Sequence, residues 1–203
     1  MDRLDQVLDS ATPLLRRAED VLELAGAPPG HPVWGHLRRV RLMPADAARA
    51  VAELRPAALA EAEPELRAGA RLCAGTAAAL PPPDEWEGEA ADAYDDQRRR
   101  VAAHLSGGHD SLEERFEATA DLAAALHDWM TRARDNLAAV LADALTSAEA
   151  LTLTGPASLP PTSAESVAAA DLTAHVLRAI ADDYAEAEEL LEGSRQLADP
   201  IPL

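Results

Sequence analysis

The stretch LEERFEATADLAAALHDWMTRARDNLAAVLADA, residues 112–144, decides the fold. Leu112, Phe116, Thr119, Ala123, Leu126, Met130, Ala133, Leu137, Val140 and Ala144 recur in it at steps of four and three. That spacing puts them on one stripe of an α-helix and makes a heptad seam suited to antiparallel packing at shallow crossing angles. The phase runs backwards through Leu105, Val101, Arg98, Tyr94 and Ala91, across Ser106, Gly107 and Gly108. The unbroken phase argues for one hinged rod with a weak point at residues 106–108. The glycines, and a capping box at Ser111 and Glu114, argue for two helices. The rod is the expectation taken forward.

Outward from this segment the chain keeps reading as helix. Leu4, Leu8, Ala11, Leu15, Ala18, Leu22 and Ala25 form an apolar stripe that predicts a helix over residues 3–25, stopped by Gly26, Pro28 and Pro29. Residues 30–43, with Gly30, Pro32, Trp34 and Gly35, read as a loop leading into a short basic segment. A second helical region begins at Pro44 and reaches about Leu80, kinked or segmented by Pro56 and Pro64 and ended by Pro81, Pro82 and Pro83. Residues 154–161 read as a linker. A capping box at Thr162 and Glu165 opens a last helix to about Gly193, with Ala169, Leu172, Val176, Ile180, Tyr184, Ala187 and Leu191 as its stripe. The tail, residues 198–203, carries two prolines and reads as non-helical and mobile. The organisation expected is an N-terminal helix and loop (1–43), a helical hairpin (44–154), a linker (155–161) and a C-terminal helix and tail (162–203) packing on the hairpin as one domain.

Composition agrees with an all-α chain. The hydrophobic share of the 203 residues is 48%, much of it alanine, while aromatics make up only 3%. Alanine favours helices in close contact, and the β-branched and aromatic residues that strands need never alternate over a useful run. The net charge of -18 argues against nucleic-acid and anionic-membrane partners. All 18 basic residues are arginine. The clusters Arg38, Arg39, Arg41 and Arg98, Arg99, Arg100 read as solvated charges rather than phosphate sites, since no glycine-rich loop accompanies them. Cys73, the single cysteine, reads as a small buried hydrophobe. Neither a signal-peptide core nor an apolar run of transmembrane length is legible, so export would need a route without a cleavable signal.

Trp86-Glu87-Gly88-Glu89-Ala90-Ala91-Asp92-Ala93-Tyr94 resembles the signature of the WXG (ESAT-like) family of type VII secretion substrates, of actinobacterial type. The resemblance covers roughly residues 44–150. It implies an elongated antiparallel helical bundle built on a hairpin with a Trp-x-Gly turn. Gly88 would allow the turn, Ala90 and Ala91 close helix approach, and Trp86 would cover the open end. The family also carries a C-terminal Tyr-x-x-x-Asp/Glu signal. Tyr184 with Glu188 fits that spacing, while Tyr94 does not, because Arg98 stands at the acidic position. The resemblance thus implies an export signal made of Trp86, Gly88, Tyr184 and Glu188. The extra N-terminal and C-terminal helices depart from simple members and suggest a chain that closes its own four-helix bundle.

No catalytic, cofactor-binding or metal-binding residues are expected. None of His31, His36, His104, His109, His127 and His175 stands at metal-ligand spacing from an acid or cysteine, and Glu-x-x-His does not occur. Nucleophile-elbow, P-loop and dinucleotide patterns do not occur either. Glu186, Glu188, Glu189 and Glu192 read as a wet helix face, and Trp34 and Trp129 as packing residues. The expected function is therefore a non-enzymatic, ESX-like secreted helical protein, with the secretion machinery and another WXG-like chain or itself as partners. The alternative is an intracellular helical scaffold or adaptor.

Overall fold

The computed structural model describes residues 2–156 and 158–197, with side chains through Arg195. Among the described residues every regular element is helical and none is a strand. The first helix, α1 (Arg3–Ala25), occupies the span its apolar stripe predicts. Its start is a reciprocal cap: the Asp5 N–H donates to Asp2 Oδ1 at 3.1 Å and the Asp2 N–H to Asp5 Oδ2 at 3.2 Å.

The expected loop over residues 30–43 is instead largely helical. Helix α2 (Val33–Val40) follows Pro32 and buries Val33 and Val40, seven residues apart on one face. Two buried valines were too sparse a pattern to outweigh Pro32 and Gly35 in the sequence. Trp34 is 41% exposed, so it does not serve as the packing residue expected. Helix α3 (Pro44–Ala52) takes Pro44 as its first residue, where the missing N–H would have had no intrahelical partner anyway. The region after it is segmented at Pro56, which opens a short 3-10 turn (Pro56–Leu59). Pro64 breaks nothing, because it falls in the first turn of α4 (Ala62–Ala78).

The hinged rod is not what forms. Helices α5 (Glu89–Leu105) and α6 (Leu112–Leu145) are separate. Ser106 is extended, and Gly107 and Asp110 take positive φ of 79° and 60°. A Cβ on Gly108 would sit 2.5 Å from the Ala103 carbonyl oxygen, so the chain turns there only because a side chain is missing. The preserved heptad phase across the break is a coincidence of linker length. The Glu114 N–H donates to Ser111 Oγ at 3.4 Å, and the Glu114 carboxylate reaches back to the Asp110 N–H at 2.9 Å. A short helix, α7 (Ala148–Thr154), is capped by Ser147 and extends helical structure through Thr154. Helix α8 (Ser163–Leu197) starts on the predicted box: the Glu165 N–H donates to Thr162 Oγ1 at 3.2 Å and the Thr162 N–H to Glu165 Oε2 at 2.8 Å. It runs through Gly193 rather than stopping there, and the expected mobile tail lies outside the described residues.

The chain divides into two compact units. The first comprises Met1–Arg55 with Trp129–Glu188, the second Pro56–Asp128 with Glu189–Leu203, so α6 and α8 each contribute to both. In the first unit α1 packs against α3 and α7. Leu4, Leu15, Leu137, Leu141, Leu177 and Ile180 are fully buried there, each contributing about 1.5–3 kcal/mol relative to exposure. Half of the heptad seam lies in this core. Ala133, Leu137 and Ala144 are buried, but Ala138 and Leu141 join them while Met130 and Val140 are only half-buried. A straight helix of 3.6 residues per turn drifts off a strict seven-residue repeat in this direction.

The second unit is built differently. Among its described residues only Ala70, Ala91, Ser111, Ala120 and Ala123 are buried, while Leu112, Phe116 and Leu126 are half-buried. Helices α4 and α5 pack together. Helix α4 meets α6 through Gly69, where an added Cβ would stand 3.0 Å from the Phe116 ring. The polar tie between the same two helices is Arg67, which reaches Glu63 at 3.0 Å, Glu117 at 2.5 Å and Asp121 at 2.8 Å. Cys73 on α4 is half-buried, not the fully buried residue expected.

Candidate functional site

The Trp-x-Gly segment forms the turn that leads into α5. After three prolines, Asp84 takes a positive φ of 48° and the Trp86 N–H donates to the Pro83 carbonyl at 3.0 Å. Gly88 is the N-cap with φ 96° and ψ 179°, a conformation that strains any side chain. Its carbonyl accepts the first bonds of α5, from Ala91 at 2.9 Å and Asp92 at 3.1 Å. The Trp86 and Tyr94 rings lie 5.8 Å apart at 46°, within the range of favourable aromatic pairs. The Tyr94 hydroxyl donates to the Pro81 carbonyl at 2.9 Å and so ties the helix back to the proline stop.

Two assignments within this segment change. Ala91 is buried as close approach requires, but Ala90 is exposed. Trp86 stays 52% exposed with Tyr94 as its ring partner, so it forms an open aromatic edge rather than a cover. Tyr94, passed over as a signal residue, organises the turn. Nothing in the linear pattern marked that role except its spacing of eight from Trp86. The nearby arginines behave as surface charges: Arg98 pairs with Asp95 at 2.7 Å, and Arg99 pairs with Asp95 and Asp96.

Tyr184 and Glu188 lie one helical turn apart on α8, Tyr184 half-buried and Glu188 exposed. They belong to the first unit, whereas Trp86 and Gly88 belong to the second. Around Tyr184 the helix is well held. The Trp129 indole N–H donates to the Asp183 carbonyl at 2.9 Å, Asn136 donates to the Asp183 carboxylate at 3.2 Å, and Arg132 pairs with Glu186. Burial pushes the Asp183 carboxyl above its ordinary range, opposed by the Asn136 hydrogen bond. Trp129 is the packing residue expected, and Glu186, Glu188, Glu189 and Glu192 are all exposed.

Several polar anchors in the first unit were not legible. Arg134 lies on the buried face of α6 and caps the end of α3, donating to the carbonyls of Leu54 at 3.0 Å, Val51 at 3.4 Å and Ala52. The same guanidinium holds Asp2 and Asp5 at the start of α1, and with the Asp5 N–H, the larger cause, it lowers the Asp2 carboxyl. Glu19, also buried, accepts from the Ala45 N–H at 2.9 Å and places negative charge on the first turn of α3. Glu165 meets Arg17 at 2.9 Å. The available signal was an arginine among Met130, Leu137, Ala138 and Leu141, where helical spacing leaves it no water.

A depression of about 330 Å³ in the first unit is lined by Asp143, Ser147, Glu149, Asp171, Leu172 and His175 among others. Beside it, His31 Nε2 stands 3.1 Å from Asp171, while His31 Nδ1 faces the Val33 N–H at 3.2 Å. These two residues lie 140 positions apart, a separation no spacing rule bridges. Glu149 is lowered by its own N–H, then by Ser147 and His175. Ser147 Oγ accepts from the Ala150 N–H and caps α7, which explains its presence without catalysis. Among the described residues no group of three or more His, Cys, Asp or Glu could hold a metal ion, and no single helix is long and apolar enough to cross a membrane. Compared with family models, curated proteins and solved structures, the chain finds no match in any of the three.

Proposed function

We propose that the chain is a non-enzymatic helical protein of the WXG type, exported by type VII secretion as a substrate or secretion partner without a cleavable signal. It works by helix packing and by a docking signal made of Trp86, Gly88, Tyr184 and Glu188. The observation that carries this reading is the contrast between the two units. The hairpin α4–turn–α5 presents an open Trp86–Tyr94 edge, and the described residues of the unit around it bury alanines and one serine but no large apolar side chain. Leu72 and Val101 stay exposed on the two hairpin helices. Helices of that length ordinarily bury a broader apolar stripe, so a helical partner on this unit completes the packing. The antiparallel WXG hairpin and its partner, a WXG-like chain or a second copy, belong to this proposal.

The test compares culture supernatant with lysate in a host with type VII secretion, with and without its ATPase. Wild-type protein is expected outside the cell only when the ATPase is active, and Tyr184→Ala and Glu188→Ala are expected to remain in the lysate while still folded. Wild-type protein confined to the lysate would refute export. Export that needs the ATPase but ignores Tyr184 would remove Tyr184 from the signal.

A further inference from the structure

We propose that the cleft between α7 and the first half of α8 docks a basic amphipathic helix of a partner protein, with the helix's apolar face on the cleft floor and its arginines or lysines on the rim. Two depressions of about 330 and 460 Å³ meet there and share Glu149 and Asp171. Every residue that lines them belongs to the first unit. Ala148 on α7 and Ala164, Val167, Ala168 and Leu172 on α8 make an apolar floor. Most of these side chains are short, which leaves room above the floor for another helix to approach closely. Apolar surface continues past the cleft. Val167 is 40% exposed, and Leu151, on the flank of α7 opposite Glu149, is 76% exposed.

The charge of the rim selects the occupant. Asp143, Glu149 and Asp171 stand on three different helices around the opening. Among the described residues Asp143 and Glu149 form no ion pair, and Asp171 meets only His31, at 3.1 Å. Glu149 is kept ionised first by its own N–H and then by Ser147. Uncompensated carboxylates around an apolar floor match a cationic segment and reject an anionic one. The net charge of -18 weighs the same way, since it opposes nucleic acid, an anionic membrane and a second copy of this chain alike. Residues 196–203 do not fit the rim either, because none of them is basic. A small ligand fits less well than a helix. Asp143, Ala148, Ala164, Asp171 and His175 are all exposed, so the cleft is open, whereas small-molecule pockets bury most of their ligand. A helix laid in a groove needs only one face covered.

Fluorescence anisotropy and backbone-amide NMR on the full chain test this. The probe is a designed helix-forming peptide of about 15 residues, with alanine and leucine on one face and arginine beside them. It is compared with its glutamate-for-arginine analogue and with spermine. The arginine peptide is expected to bind, more weakly as salt rises, and to shift amides of α7 and of residues 163–175. The glutamate analogue is expected not to bind. Asp143→Asn with Glu149→Gln should weaken binding by about tenfold or more. Asp20→Asn with Glu23→Gln makes the same change of charge at exposed positions on α1 and should change binding by less than about twofold. Ala164→Arg, at an exposed floor position, should weaken binding as well, and all variants should keep the wild-type helical spectrum. Failure of the arginine peptide to bind overturns the proposal, as do shifts centred elsewhere, equal losses in the two charge pairs, or binding of the glutamate analogue. Spermine bound as tightly at the same amides also overturns it, because charge alone would then suffice. The proposal does not rest on export: supernatant measurements decide that reading and peptide binding decides this one, so each fails separately.

Discussion

Helix α6 lets the two units be compared with one residue type on one helix. Leu137 is 1% exposed in the first unit, and Leu126, eleven positions earlier, is half-buried in the second. Truncating Leu137 to alanine removes a fully packed side chain and leaves a void, which costs about 2–5 kcal/mol. At Leu126 part of the side chain is already in water, so Leu126→Ala loses only part of the transfer term and leaves a smaller void, a cost of about 1–2 kcal/mol. Both are read from urea unfolding followed by circular dichroism. Hydrogen exchange then separates the units: amides of α8 around Val176 and Ile180 should exchange only through global unfolding, and those of α5 through a lower-energy opening. Equal costs at the two leucines, or equal protection of α5 and α8, would refute the claim that the second unit is under-packed. The heptad seam alone predicts that equality, since it ranks Leu126 and Leu137 as equivalent.

Two further outcomes follow from local geometry. Gly75→Ala on α4 meets nothing within 4 Å and should stabilise by up to about 1 kcal/mol through helix propensity. Gly69→Ala puts its Cβ 3.0–3.2 Å from three Phe116 ring atoms, so overpacking of about 1–3 kcal/mol should cancel or reverse that gain. Equal thermal shifts in the two variants would remove the close contact of α4 with α6. The Glu165 carboxyl is held down to about 2 by the Thr162 N–H and hydroxyl, with help from Arg17, from an ordinary value of 4.5. A lowered carboxylate stabilises the fold above its unfolded value and loses that contribution as pH falls through its folded one. The unfolding midpoint of the wild type should therefore fall more steeply than that of Glu165→Gln between pH 4.5 and about 2, and parallel curves would contradict the assignment.

Local signals were legible and long-range ones were not. The span of α1, the restart at Ser111 and the reciprocal cap at Thr162 and Glu165 each depend on residues within one turn, where side-chain identity dictates the hydrogen bond. The separation of α5 from α6 was locally marked by Gly107 and Gly108, yet the heptad phase outweighed it because periodicity cannot see a linker that preserves register. Helix α2 failed for the opposite reason: eight residues carry too few apolar positions to show a period. Arg134 and His31 find their partners 132 and 140 positions away, which no spacing rule reaches. Of the site, the turn at Trp86 and Gly88 was readable, but the pairing of Trp86 with Tyr94 and the open face of Trp34 were not. Those depend on which surfaces the other helices leave uncovered.

The distribution of stabilising contacts bears on why such a chain would carry two units at all. The first unit holds the large buried side chains, the arginine that caps α3 and the glutamate that starts it. Helix α6 runs without interruption from Leu126 in one unit to Leu137 in the other, so the strongly packed half fixes the backbone of a helix that the weakly packed half also uses. Helix nucleation is thereby supplied from outside the second unit. A unit that had to order itself on binding would lose part of its interaction energy to that ordering. One that is already helical yet poorly covered loses less, and it keeps its apolar and aromatic edges for a partner. On the proposed reading, the thin packing around Trp86 is the functional feature, and filling it with larger side chains should strengthen the fold while weakening association.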